Sequence, residues 1–236
     1  MVYEKNASRG RPLPGRSTAE GGRRRGRPPR VRLDQGLVLD AAMLVLASEG
    51  VDGLTMRRLA GHLDVPVMTL YTYVKSRDHL LDLVLDEILG HVDLPAPSAD
   101  WRGDVVAVAT SLRQVLLTYR HASRLLAGRP SNGAHALDIA EFLLDALARA
   151  GLGGKELVFA YTTVRDFTLG STLQDTTWEE QGPPSGQAIA RVRQQFDALP
   201  ATRYPRIREA LTDMLTLDGD AQFDYALALL IDGLAR

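Results

Sequence analysis

Residues 55 to 77 read TMRRLAGHLDVPVMTLYTYVKSR, and their spacing predicts two short helices joined by a tight turn. Thr55 is suited to N-capping the first helix. Leu59 and Leu63 share one of its faces by their i, i+4 spacing, with Arg57, Arg58 and His62 elsewhere on it. Asp64 and Val65 occupy the turn, where Asp tolerates a left-handed backbone better than most residues. Pro66 suits the first position of a new helix. In that second helix Leu70 and Val74 point inward, leaving Thr69, Tyr71, Thr72 and Tyr73 to face out. Such a pair, its second helix exposing hydroxyl-bearing side chains, is expected to be a DNA-reading unit.

The order TLYTYV, followed by Lys75, Ser76 and Arg77, closely resembles the recognition helix of the TetR family of bacterial repressors, which has the form T-L-Y-x-(Y/H)-(F/V). The resemblance runs upstream through LDQGLVLDAAMLVLASEGVDGLTMRRLA, where a helix from about Asp34 to Glu49 stops at Gly50. Downstream it continues into a helix capped by Ser76 that begins with Arg77. It covers residues 33 to 92. Read from periodicity alone, the same stretch is also compatible with a plain three-helix bundle carrying surface tyrosines.

The 236 residues, 45% of them hydrophobic, fit one or two compact domains. A net charge of −1 conceals an asymmetry: residues 1 to 32 hold ten Lys or Arg against two Glu, an excess of eight, so the rest of the chain carries nine net negative charges. The absence of cysteine excludes disulfides, thiolate catalysis and Cys-ligated metals. No apolar run approaches the roughly 18 residues that span a membrane, and the N-terminus lacks the apolar region of a secretory signal. A cytoplasmic, nucleoid-associated protein with no membrane partner is the expectation.

The first 30 or so residues are rich in Gly, Pro, Ser and Arg and too poor in hydrophobic residues to fold alone, so an arm disordered in the absence of DNA is expected. Within it lies RRRGRPPR, where Arg25, Gly26, Arg27 and Pro28 match the RGRP core of an AT-hook. Narrow A·T-rich minor grooves concentrate negative potential and attract inserted arginines such as Arg25 and Arg27. The same residues also suit a polybasic tail making sequence-independent phosphate contacts. Both alternatives place the arm on DNA.

Discriminating base contacts are usually bidentate, from Arg or Lys to guanine and from Asn or Gln to adenine, and Pro66 to Val74 contains none of these four. Thr69 can offer a methyl or a hydroxyl, Val67 and Met68 apolar contacts, and Tyr71 and Tyr73 their hydroxyls. Direct readout by this helix is therefore modest. The family pattern places an additional base-reading Arg on the preceding helix, and Arg57 matches that position. Lys75 and Arg77 match positions whose positive side chains clamp phosphates, although Lys is commoner at the second. Arg58 is expected to be a solvated or phosphate-facing charge.

Beyond residue 93 the pattern is one of helices separated by Gly and Pro signals, at about 100 to 120, 132 to 150, 154 to 176, 186 to 198, 204 to 216 and 219 to 235, with a mobile loop over 175 to 187. No strand-period segment appears. The fold class expected is all-α, with an arm over 1–31, a helix-turn-helix domain over 32–92 and a larger helical domain over 93–236.

This second part resembles the ligand-binding domain of the tetracycline-repressor class of the same family, through Trp101, Arg129-Pro130, Gly151, Phe167-Thr168-Leu169-Gly170 and the closing FDYALALLIDGL. Alignment on these anchors puts Leu126 where that class has a metal-coordinating His and Gln174 where it has an acidic residue near the metal. A magnesium-dependent ligand is thereby disfavoured. A drug-anchoring Asn aligns with Val108, a Phe with Leu112 and a Gln with Leu143, while Asp166 replaces a family His. The resemblance thus implies a small-molecule effector more apolar than a metal-chelated tetracycline. Val and Leu at helical spacing are equally the stuff of an ordinary core, and a buried Asp166 needs a partner that the sequence does not name. The five His residues show no close metal-ligand spacing, so no metal site and no cofactor are expected.

A single helix-turn-helix head usually works as one of a symmetric pair. Phe223, Leu227, Leu230, Ile231 and Leu234 form an apolar stripe on the last helix, which in relatives of this kind joins the helix over 154 to 176 in a four-helix dimer interface; an intramolecular core accounts for the stripe equally well. No clustered nucleophile, acid-base pair or phosphate loop indicates an enzyme. The expectation is a homodimeric repressor of double-stranded operator DNA, released by a small apolar ligand, with a ligand-independent architectural or activating DNA binder as the alternative. Removing residues 1 to 30 tests the arm: binding titrations should show weaker affinity, and, if Arg25 and Arg27 read the minor groove, a lost A·T preference as well.

Overall fold

The computed structural model describes residues 33–129, 131–180 and 186–234, and the basic arm with its RGRP segment lies outside them. The described residues form eleven helices and no strand, and Leu33 to the C-terminus clusters as one compact unit. None of the helices described is long and apolar enough to cross a membrane.

Local chemistry sets the ends of the first helices. Asp34 caps α1 (Gln35–Gly53) by accepting from the Leu37 amide at 2.9 Å. Gly50 then breaks the helix with φ +73°, a left-handed conformation open to Gly. Thr55 caps α2 (Met56–His62), its Oγ1 accepting from the Arg58 amide at 3.1 Å. Asp64 takes φ +51° in the turn. Pro66 sits one residue earlier than its sequence signal suggests: it is the cap, with ψ 141°, and α3 (Val67–Leu70) starts after it.

That second helix is a single turn. Past Leu70 the backbone tightens, with amides reaching back three residues from Thr72 to Thr69 and from Tyr73 to Leu70. Ser76 caps α4 (Arg77–Leu89) through the His79 amide. Leu54, Leu59, Leu70, Val74, Leu80 and Val84, all essentially inaccessible to solvent, are among the residues that fill the core of this head. Each contributes about 1.5–3 kcal/mol by leaving water.

The body is built around α5 (Trp101–Thr118), which packs on α6 (Arg120–Gly128), α7 (Ala134–Arg149) and α8 (Gly154–Glu180); α9 (Gly186–Asp197) and α10 (Pro205–Leu215) pair with each other, and α11 (Gly219–Leu234) lies on α8. Helix α6 is absent from the sequence expectation, because Tyr119 breaks the chain at φ −101°, ψ 67° with neither Gly nor Pro to mark it. The loop expected over 175–187 is shorter, since α8 continues to Glu180 and α9 begins at Gly186; residues 181–185 lie outside the described residues.

Two polar ties hold the body. Buried Arg113 of α5 pairs with Asp175 of α8 at 2.7 Å and Asp220 of α11 at 2.8 Å, and lies over the Phe223 ring, itself stacked on Phe167. Asp104 of α5 accepts from the Ser98 amide at 2.8 Å and hydroxyl at 2.9 Å, and from Arg149 of α7 at 2.8 Å. The Ser98 amide, with Arg149 behind it, holds the Asp104 carboxyl below the usual carboxylate range.

A carboxyl whose folded pKa is depressed stabilises the fold above its unfolded pKa, near 3.9, and loses that contribution as pH falls through its folded value. Asp104→Asn should therefore lower the unfolding temperature at neutral pH, with the gap to wild type closing as pH drops below about 4 in thermal melts.

Candidate functional site

The head presents two kinds of surface around α3. Met68 is 76% exposed and Tyr71 46% exposed, a large apolar display for residues on an otherwise well-packed unit. Val67 and Thr69 beside them are half-buried, and Arg57 and Lys75 are exposed. Arg58 is engaged: its guanidinium pairs with Glu49 of α1 at 2.7 Å, and the bond to that carboxylate raises its pKa. Arg57, next to it on α2, makes no hydrogen bond or ion pair among the described residues.

Two residues expected at the DNA have work inside the head. The Tyr73 hydroxyl donates to the Leu33 carbonyl at 2.6 Å, tying the turn after α3 to the start of the head, and its ring is half-buried. Arg77 donates through Nε to the Leu54 carbonyl at 2.7 Å and through Nη2 to the Val51 carbonyl at 2.6 Å. It satisfies carbonyls left over where α1 ends at its glycine break. A guanidinium fork does this at two carbonyls at once, a geometry that the ammonium of Lys lacks, which accounts for Arg at a position where the family pattern favours Lys.

In the body a cavity of about 620 Å³ opens between α5, α6, α7 and α8, within the size range of small-molecule sites. Leu112, Leu126, Leu143 and Asp166 of the expected set line it, together with Ile139, Leu169 and Leu173. Asp166 is exposed, contrary to the buried carboxylate considered from the sequence, and pairs with the guanidinium of its neighbour Arg165 at 2.8 Å. Two expected residues are misplaced. Val108 is fully buried one turn before Leu112 on α5, in the core and outside the cavity wall, and Gln174 is exposed beyond Leu173, the last wall residue of α8.

The wall also contains residues that sequence reasoning passed over: Leu89 at the end of α4, Ser131, Tyr161, Arg165 and Arg129. Arg129 had appeared only as half of an Arg-Pro anchor. No group of three His, Asp or Glu among the described residues is placed to hold a metal ion.

Residues 38–84 match the family described as bacterial regulatory proteins, tetR family, and residues 94–236 match the tetracyclin repressor-like C-terminal domain. An HTH-type transcriptional regulator of Saccharopolyspora erythraea is 35% identical over 210 residues, covering 86% of this chain and 85% of its own. The tetracycline repressor protein class A from transposon 1721, of Escherichia coli, is 32% identical over 209 residues, covering 87% and 92%. Among solved structures, the Streptomyces coelicolor TetR family protein ActR in complex with actinorhodin superposes with a TM-score of 0.77 at 29% identity, over 86% of this chain and 96% of that one. With a helix-turn-helix head, a helical body with a cavity between its helices, and matches to both halves, the chain belongs to the TetR family of transcriptional regulators.

Proposed function

We propose that this regulator is a homodimeric repressor that holds operator DNA through two heads and releases it when a largely apolar small molecule fills the body cavity. The observation that carries this is the position of α4. Its first residue, Arg77, is bonded to the Leu54 and Val51 carbonyls of the head, its Leu80 and Val84 are buried in the core, and its Leu89 lines the cavity wall, so one helix joins the head to the cavity. A relative whose solved structure contains actinorhodin supports a small-molecule effector.

Heads of a symmetric dimer must stand about 34–36 Å apart to enter successive major grooves. A ligand that favours another α4 position changes that spacing. Reversing a 99:1 population requires the ligand to prefer the released state by about 5.5 kcal/mol, and the mainly aliphatic wall of the cavity offers apolar area toward it.

The dimer finds support on a different face from the stripe read in the sequence. Phe223, Leu227 and Ile231 are buried within the chain, whereas Tyr225 and Leu229 on α11 and Val158 and Phe159 on α8 remain exposed at 69%, 57%, 52% and 64%. Large exposed apolar side chains on both helices are what an obligate partner would cover. Tyr225→Asp with Leu229→Asp should give a folded monomer in sedimentation experiments at micromolar concentration, while a wild-type chain that is itself monomeric there would contradict the dimer.

At the DNA, the exposed Arg57, Met68, Tyr71 and Lys75 and the half-buried Val67 and Thr69 are the proposed contacts, whereas Tyr73 and Arg77, whose polar atoms are bonded within the head, act first by fixing it. Arg57→Ala should relax preference at one base pair by about 1–3 kcal/mol in titrations against single-base operator variants; equal losses at every position would contradict a base-reading role. Arg77→Ala should lower the stability of the head by about 1–3 kcal/mol, since it leaves two carbonyls without their charged donor. Unfolding by urea checks this. The function itself is tested by gel shift on DNA selected by the full chain from a random pool, repeated with a panel of apolar compounds. Release by some of them is expected, and retention of the complex under all compounds that bind the cavity would overturn it.

A further inference from the structure

Arg129 stands between the cavity and the head. It lines the cavity wall, yet its guanidinium reaches to α4, where Nη2 donates to Asp78 Oδ1 at 2.9 Å and Nη1 donates to Asp82 Oδ1 at 2.9 Å and to the Asp78 carbonyl at 3.2 Å. One turn further along α4, Asp86 accepts from the Ala136 amide at 3.2 Å, and the His135 ring lies 3.0 Å from its carbonyl. Asp78, Asp82 and Asp86 recur every four residues, so α4 offers a single acidic edge to the segment between α6 and α7. The seam is tight: a Cβ on Gly133 would lie 2.1 Å from the Asp86 carboxylate.

The charges along the cavity are unevenly matched. Its described wall holds two guanidiniums, Arg129 and Arg165, and one carboxylate, Asp166; Arg165 and Asp166 pair at 2.8 Å with side chains 43% and 63% exposed, so Arg129 is the drier of the two cations and the one that reaches α4. The carboxylates that hold Arg129 lie outside the wall on α4, and their side chains are 76% and 57% exposed, against 23% for Arg129 itself. Carboxylates so well hydrated hold a guanidinium weakly. An anion inside the cavity would meet the same fork and could engage it in a bidentate manner.

Building on the ligand-cavity reading, we infer that the effector carries an anionic oxygen group, such as a carboxylate, on its otherwise apolar body, and that this group takes Arg129 away from Asp78 and Asp82. Two carboxylates one turn apart on α4 are then left without their shared cation, and like charges at that spacing repel. The segment after α6 loses its hold on the helix that carries the head. The apolar body gives affinity, and the anionic end couples occupancy to α4.

Calorimetric titration of the full chain with anthracene-2-carboxylate and with the neutral anthracene-2-carboxamide tests this. The carboxylate should bind at least tenfold more tightly than the amide. Arg129→Gln should erase the difference, and the double variant Asp78→Asn, Asp82→Asn should tighten the carboxylate several-fold while leaving the amide unchanged, because the competing anions are gone. An arginine with a purely structural role would not produce those opposite shifts. Equal binding of both probes, or a carboxylate preference that survives Arg129→Gln, overturns the inference and leaves the cavity as an apolar ligand site. Failure of a folded chain to bind either probe removes the ligand-cavity reading and this inference with it.

Discussion

Helix α4 is packed from both sides, and the arrangement of the whole molecule follows from that. Its thirteen residues bury Leu80, Leu81, Val84, Leu85, Ile88 and Leu89, with α1 of the head against it on one side and α5, α6 and α7 of the body on the other. In the proposed function such a helix shifts as a rigid rod, because close-packed cores switch between packings in preference to deforming smoothly. A displacement of its body end would then be felt at its head end.

The head is organised so that such movement carries the recognition turn as a unit. Arg77, the first residue of α4, is bonded to the carbonyls of Val51 and Leu54, and Tyr73 to that of Leu33. Those bonds join α4, the turn after α3 and the end of α1 into one piece. The side chains left exposed beside it include no amide or guanidinium on the turn itself: Met68, Tyr71 and Thr72, with Arg57 and Lys75 flanking. In the proposed function, specificity rests on Arg57 and on DNA shape more than on a dense set of bidentate contacts.

Features fixed by neighbours in the chain were legible in the sequence. Asp34, Gly50, Thr55, Asp64 and Ser76 each do locally what their residue type suggests. Features fixed by distant partners were not. Arg129 meets carboxylates 47 and 51 residues away, and no local pattern announces such a pairing. The break at Tyr119 that creates α6 carries no turn residue. The stripe on α11 illustrates the limit of periodicity, since Phe223, Leu227 and Ile231 face the interior and the apolar residues left outside, Tyr225 and Leu229, lie on a face that was not singled out. Gln174 was placed by alignment one residue past the wall.

The absence of cysteine from the chain makes a direct measurement simple. Spin labels on His62→Cys in the head and Glu141→Cys in the body, both exposed positions, report the head-to-body distance by pulsed electron paramagnetic resonance. If the hold of Arg129 on α4 sets where the head stands, the distribution should be narrow in the native background and should broaden or move when Arg129→Gln is added. Superimposable distributions would contradict it.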